Sequence, residues 1–246
     1  LIAAAQARHL RVRTYGERGV DFKLLSTAPE ASGQHLRLMI EGLEKDLFLP
    51  LAGRFQAMNA LCALGLATVT GVPTDVALGA LATLAGAPGR MELVGEKAGG
   101  GVVYVDYAHT PDALENVLRA LRPHAKGALS VVFGCGGDRD KGKRPEMGRI
   151  ASELADRVIV TDDNPRSEDP AQIRSEILAA APGASEIADR AEAIDTAIAE
   201  LGIKFIGVDI SLFATAFYSR FERLPFSDFR FDTRSNDYVE QTEIAG

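Results

Sequence analysis

Two cysteines in 246 residues are too few for a disulfide framework. Cys62 sits in an apolar helical run and Cys135 in a glycine-rich loop, with neither CxxC spacing nor a histidine cluster, so no zinc site is suggested either. The chain also lacks a basic excess. Its formal charge is -7 and its lysines and arginines are scattered, which excludes the long basic stripe that attracts a nucleic-acid backbone. No apolar stretch reaches the roughly 18 residues needed to cross a bilayer. The opening Leu-Ile-Ala-Ala-Ala-Gln-Ala-Arg has no charged-then-apolar signal layout and no initiator methionine. These absences lead to the expectation of a cytoplasmic chain, without membrane or nucleic-acid partners, that begins within a longer gene.

What is present is ordinary globular composition, 46% hydrophobic and 25% charged, enough for one large or two modest domains. Residues 1 to about 50 alternate apolar and polar positions in short runs, as in His35-Leu36-Arg37-Leu38-Met39-Ile40, which reads as strands with turns. An Ala- and Leu-rich helix is expected over Ala57 to Thr70, stopped by Gly71-Val72-Pro73, with a second over Thr74 to Leu84. After the break at Ala87-Pro88-Gly89-Arg90 the chain turns to apolar strand followed by amphipathic helix, four times over, and the domain boundary is expected near residue 93. The pairs are Val102 to Tyr107 then Pro111 to Leu121, Leu129 to Phe133 then Pro145 to Leu154, Val158 to Thr161 then Pro170 to Ala180, and Glu186 to Ala188 then Ala191 to Leu201. Such repeats predict an α/β fold with a mostly parallel sheet and ligands at the carboxyl ends of its strands. Beyond Gly202 phenylalanine becomes dense and alanine sparse, so the tail is atypical.

Chemistry-bearing residues collect at those strand ends. Phe133 to Pro145 runs from a strand into glycines and then into Arg139, Lys141, Lys143 and Arg144 with two acids. Glycines let backbone N–H groups approach an anion and the cations bond to it; a solvated charged loop is the alternative. Gly137 to Lys143 satisfies G-x-x-x-x-G-K, yet Arg144 stands where a phosphate-binding loop needs Ser or Thr and Pro145 is expected to delay the helix, so the match is a decoy. At the end of Val102 to Val105, Asp106 can accept a ribose hydroxyl and His109 can contact phosphate or base, although a strand-end Asp also caps its own loop. Thr110-Pro111-Asp112 is a well-formed helix start. In Thr161 to Pro170, Arg166 offers a planar fork suited to a carboxylate, while an Asx-type turn ending in a surface arginine reads equally well. Asn59 lies one helical turn from Gln56, so the two amides can read an adenine edge or simply pack.

Taken in order, GRFxxxNA at Gly53 to Ala60, PGRME at Pro88 to Glu92, DYAHTPDALENVL at Asp106 to Leu118, FGCGGDRDKGKRPEMG at Phe133 to Gly148 and DNPRSEDP at Asp163 to Pro170 resemble the Mur ligases, a match running from about Leu49 to Leu201. The resemblance implies that residues 1–92 are the end of a central ATP-binding domain and 93–246 a carboxyl-terminal Rossmann-like domain. DNPR resembles the signature of members that add meso-diaminopimelate, so Asp163, Asn164, Pro165 and Arg166, joined by Arg139, are expected to contact that amino acid. Adenine and ribose contacts fall on Asn59, Arg90 and Asp106, with the catalytic candidates His109 and Lys141 beside the triphosphate.

The implied chemistry is amide formation by a monomer using ATP and Mg2+. ATP phosphorylates the D-glutamyl carboxylate of a UDP-N-acetylmuramoyl dipeptide, and the diaminopimelate amine attacks the acyl phosphate. Two departures stand out. The family's GTxGKT loop, carbamylated lysine and uridine-binding domain would precede Leu1. The place of its GKGHE motif, counted back from Leu224-Pro225-Phe226-Ser227-Asp228, is held by Ile210-Ser211-Leu212-Phe213-Ala214, the pattern a locally shifted reading frame between about Ile203 and Phe221 would produce. An inert fragment or binding module, and a related ligase such as folylpolyglutamate synthetase, are the competing expectations.

Overall fold

A computed structural model describes residues 2–97, 101–200, 211–214 and 229–230, and the chain divides into two compact units, Leu1–Leu84 and Ala85–Gly246. In the first, a helix α1 (Ile2–Ala7) precedes strands β1 (Tyr15–Gly16), β2 (Phe22–Glu30), β3 (Gly33–Ile40) and β4 (Leu43–Leu49). They form one sheet in that order, β1 parallel to β2 and the rest antiparallel. The alternation seen in the sequence puts Leu36, Leu38 and Ile40 inside while His35 and Arg37 face out, as a half-buried strand requires. Glu41 and Gly42, both at positive φ, make the tight β3–β4 turn, the geometry that matches strand twist.

Helices α2 (Arg54–Val69) and α3 (Thr74–Leu81) cover that sheet's apolar side, with Ala57, Leu61, Leu64, Leu78 and Leu81 in one core with Phe22, Leu38 and Leu49. The buried Gln34 side chain donates to the carbonyls of Leu51 and Gly53 and so fixes where α2 begins. As expected, α2 stops at Gly71, whose φ of 100° lets Val72 N–H return to the Ala67 carbonyl.

The second unit carries β5 (Glu92–Lys97), β6 (Val102–Val105), α4 (Pro111–Leu121), β7 (Leu129–Phe133), α5 (Lys143–Leu154), β8 (Arg157–Val160), α6 (Pro170–Leu178), β9 (Ser185–Glu186), α7 (Arg190–Glu200), β10 (Ser211–Ala214) and β11 (Phe229–Arg230). The sheet runs β11-β5-β6-β10-β7-β8-β9. From β6 to β9 all neighbours are parallel, while β5 and β11 add an antiparallel edge. Every residue of β6 and β7 is buried, as strands of a parallel sheet covered on both faces are. The α/β expectation with a mostly parallel sheet is met.

Several expectations needed correction. The break between the units lies at Leu84/Ala85, before the boundary expected near residue 93. The intervening loop is tied to β6: Tyr107 N–H donates to the Gly89 carbonyl and Met91 N–H to Asp106. Strand β5 was not anticipated, because Glu92-Leu93-Val94-Gly95-Glu96-Lys97 has no clean alternation; its pairing with β6 is shifted at Leu93/Gly95. Helix α5 starts at Lys143, so Pro145 does not delay it; proline is tolerated in a first turn, where its missing N–H has no intrahelical partner. Ser211–Ala214 is a strand paired on both sides, while Ile210, Ile203, Phe221 and Leu224 to Asp228 lie outside the described residues.

Candidate active site at the carboxyl ends of three parallel strands

The loops following β6, β7 and β8 emerge at the same end of the sheet, where a parallel sheet leaves its ligand crevice. After β6, Asp106 is buried, 7% exposed, and both its oxygens accept backbone N–H groups at 2.8 Å, one from Met91 and one from Ala108. Burial pushes its carboxyl pKa up, against the opposing pull of those N–H groups and of Arg90. Asp106 therefore clamps the preceding loop, in which Met91 is held at φ 47°. Arg90 is exposed and its guanidinium lies 5.3 Å from the centre of the Tyr107 ring, a cation–π platform on the surface. His109 is exposed, its Nδ1 3.0 Å from the Tyr107 carbonyl and its ring edge-on to Tyr107. Thr110 caps α4 by accepting from Ala113 N–H, with Pro111 at the first helical position, as the sequence predicted.

Lys143 Nζ donates to the His109 carbonyl at 2.9 Å, joining the β6 loop to the start of α5. The glycine-rich loop after β7 is bonded still more closely to the loop after β8. A Cβ on Gly134 would overlap the Thr161 carbonyl oxygen, and one on Gly137 the Pro165 carbonyl oxygen. These glycines let two loops of the chain approach each other, and not an anion. The N–H of Gly137 donates to the Asn164 carbonyl at 2.9 Å, that of Asp138 to Glu168 at 2.6 Å and that of Gly142 to Asp140 at 2.9 Å. Donors already so engaged cannot cradle a phosphate, which gives the decoy reading its physical reason.

In the β8 loop Asn164 Oδ1 accepts from Arg166 N–H at 3.3 Å, the Asx turn foreseen as one alternative, and Arg166 adopts φ 49°. Its Nη1 donates to the Gly137 carbonyl at 2.6 Å, and the residue stays exposed. Asp163 pairs with Arg190 at 3.2 Å, and Arg190 Nε also donates to the Asp162 carbonyl. Pro165 contributes its carbonyl to Glu168 N–H at 3.0 Å. Arg139 is exposed and makes no ion pair among the described residues.

Charge beneath the loops was missed in the sequence. Arg144, fully buried, forks onto both Glu168 oxygens at 2.9 and 3.0 Å and reaches Glu176 at 2.7 Å; Lys141, itself exposed, adds a pair to Glu168 at 3.0 Å. Arg144, Lys141 and the Asp138 N–H hold the Glu168 carboxyl down to about 2. Arg174 similarly bridges Asp162 and Glu186. A signal for Arg144 existed: it shares a helical stripe with Met147, Gly148 and Ala151, all buried.

Of the expected contacts, Asp106, His109, Arg139, Lys141, Asp163, Asn164, Pro165 and Arg166 stand on these three loops, and Arg90 stands on the loop before β5 that Asp106 clamps, all in one unit. Asn59 is in the other unit, exposed on α2, with its Nδ2 3.4 Å from Gln56 Oε1.

The profile of the "Mur ligase, glutamate ligase domain" matches residues 89–208, which include all three loops. The UDP-N-acetylmuramoyl-L-alanyl-D-glutamate--2,6-diaminopimelate ligase of Brucella melitensis is 59% identical over 197 residues, which are 80% of this chain and 40% of that protein. The chain thus spans about two fifths of that relative's length. Among solved structures, a ligase of the same name superposes with a TM-score of 0.66 at 35% identity, covering 87% of this chain and 44% of the other. The folylpolyglutamate synthase of Mycobacterium tuberculosis, solved with ADP and AMPPCP, shares the fold at a TM-score of 0.62 and 23% identity, over 87% of this chain and 49% of that one. Sequence, strand-end motifs and fold agree: residues 89–208 of this chain are a Mur ligase carboxyl-terminal domain.

Proposed function

We propose that the chain is the carboxyl-terminal portion of a cytoplasmic, monomeric ligase that adds meso-diaminopimelate to UDP-N-acetylmuramoyl-L-alanyl-D-glutamate with ATP and magnesium. The observation that carries this reading is Arg166. It is an exposed guanidinium steadied by one N–H on the Gly137 carbonyl, in a loop inside the stretch similar to ligases named for 2,6-diaminopimelate. A guanidinium has five N–H donors in a planar fork, so the remaining ones suit a carboxylate. Diaminopimelate differs from lysine by a carboxylate at its far end, and Arg166 is the group that would tell them apart. Arg139 adds a second exposed cation, and the Asp163, Asn164 and Pro165 backbone shapes the same loop.

ATP supplies the phosphoryl group that activates the glutamyl carboxylate. In the second unit Arg90 over Tyr107 offers a face for a nucleobase and Asp106 a carboxylate whose oxygens each retain a lone pair for a hydroxyl; in the first unit, taken by itself, Asn59 offers an amide. His109 and Lys141 are exposed cation or donor groups for the phosphate region, Lys141 after leaving Glu168. The described residues hold no group of three or more His, Cys, Asp or Glu for magnesium.

Calorimetric titration of the chain with meso-diaminopimelate, beside L-lysine and an Arg166→Ala variant, tests the reading. Diaminopimelate should bind, lysine bind at least tenfold more weakly, and Arg166→Ala lose the difference. At a hundredfold excess over the dissociation constant, binding should also stabilise the fold by about 2.7 kcal/mol. Equal binding of lysine would refute the assignment. A second reading, an amino-acid-binding module without catalysis of its own, is favoured by the glycine loop, where the N–H groups of Gly137, Asp138 and Gly142 are already engaged. Phosphate release from ATP by this chain would exclude it.

A further inference from the structure

We propose that Glu168 is a positioning residue for Arg166: with the buried Arg144 as its anchor, it bolts the β8 loop to the β7 loop and holds the Arg166 fork where a ligand carboxylate can meet it. The proposal rests on the amino-acid site described above, and it names residues that touch no substrate.

Arg166 cannot hold its own position. Its backbone is in the left-handed region, at φ 49°, which an arginine does not favour, and among the described residues its side chain makes one hydrogen bond, to the Gly137 carbonyl. Both the turn that carries it and the loop that carries Gly137 must therefore be fixed from elsewhere. Glu168 does so twice. Its own N–H closes the turn on the Pro165 carbonyl at 3.0 Å. Its carboxylate then receives the Asp138 N–H at 2.6 Å, both arms of Arg144 and Lys141, all from the other loop or from α5. Beside it, Ser167 donates to Asp138 through its hydroxyl at 2.7 Å and its N–H at 3.2 Å. Arg144 is rigid because it is fully buried and shared with Glu176, and a forked pair fixes angle as well as distance. A lysine at 144 would keep charge but lose the fork. Occupied in this way, the carboxylate of Glu168 takes part in geometry and not in the reaction.

The test compares the wild-type chain with Glu168→Gln, Ser167→Ala and Arg144→Lys, each first checked for a native near-ultraviolet spectrum. Two readouts do not need a ligand. The rate at which phenylglyoxal modifies Arg166, followed by peptide mass spectrometry with exposed Arg139 as internal standard, should rise at least fivefold in Glu168→Gln. Amide exchange at Asp138 should quicken by a similar factor. Ser167→Ala, which spares the buried pair, should move both in the same direction by less, and Arg144→Lys should fall between. If Arg166 reactivity and Asp138 exchange in a folded Glu168→Gln stay within twofold of wild type, the proposal is wrong. A third readout is the preference for meso-diaminopimelate over L-lysine, which should fall in Glu168→Gln while weak lysine affinity is unchanged; a preserved preference would overturn the positioning role. Failure of the wild-type chain to bind diaminopimelate would instead sink the amino-acid assignment, with the two ligand-free readouts still deciding whether Glu168 fixes Arg166.

Discussion

The two units use charge in different ways. In the first, ion pairs such as Arg37 with Glu44 and Lys45 with Asp75 sit on the surface, and the fold rests on aliphatic side chains alternating along β3 and lining α2 and α3. Exposed pairs of this kind contribute roughly 0–1 kcal/mol each. In the second, arginines go inside: Arg144 is wholly buried and Arg174 and Arg190 are partly buried, each gripping carboxylates in the β8 loop or at its base. Burying an ion is costly unless its partners and geometry are good. The contrast teaches that the buried charge is concentrated where two loops must be held in a shape their backbones do not favour, which is the place a specific site needs rigidity.

That contrast can be broken from either side. The largest effect is expected for Arg144→Met, which leaves Glu168 and Glu176 facing each other without their shared cation; unfolding in urea should show a loss of about 3 kcal/mol or more. Arg37→Ala in the first unit, measured in the same way, should change stability by less than about 0.5 kcal/mol. A comparable loss in both would mean that burial does not separate the two classes.

Next comes pH. Glu168 has its folded pKa lowered to about 2 from a usual carboxylate value near 4.5, chiefly by Arg144 and Lys141. A lowered pKa means that the folded form binds the proton less readily than the unfolded chain, so the contribution is complete above the usual value and is lost as pH falls through about 4.5 towards about 2. The acid limb of a stability profile should flatten in Glu168→Gln; an unchanged slope over that window would show that the carboxylate does not carry it.

Glycine sharpens the same division. Gly137→Ala should disrupt the loop pair, because its Cβ would overlap a carbonyl oxygen that cannot swing away, at a cost of about 2–3 kcal/mol. Gly79→Ala, on the exposed side of α3 with nothing near its Cβ, should stabilise by roughly 0.5–1 kcal/mol. Thermal melts of the two variants should therefore shift in opposite directions.

Much of this was legible in the residues themselves. The alternation of Leu36, Leu38 and Ile40, the stop at Gly71 and the start at Thr110-Pro111 are local rules, and each element stands where they put it. The strand-end loops were legible too, since a strand followed by glycines, acids and arginines before a helix leaves few other placements. What the glycines were for was not legible. Gly134 and Gly137 read as room for an anion, and instead make room for residues 161 to 168, because close approach by a distant segment leaves no trace in the local pattern. Asp106 read as a ligand acceptor or a cap on its own loop; its bond to Ala108 is such a cap, while its clamp on Met91, fifteen residues back, was not legible for the same reason.

The sequence by itself determined the family, the order of strands and helices from β6 as far as α7, and the set of charged residues at one end of that sheet, because propensity, capping and period act over a few neighbouring residues. Only the tertiary structure decided which of those charges face solvent and which face each other. Arg139 and Arg166 are left exposed while Arg144 is sealed beneath them, and that choice depends on what the rest of the fold brings within about 3 Å of each guanidinium, a matter of packing between segments far apart in the chain.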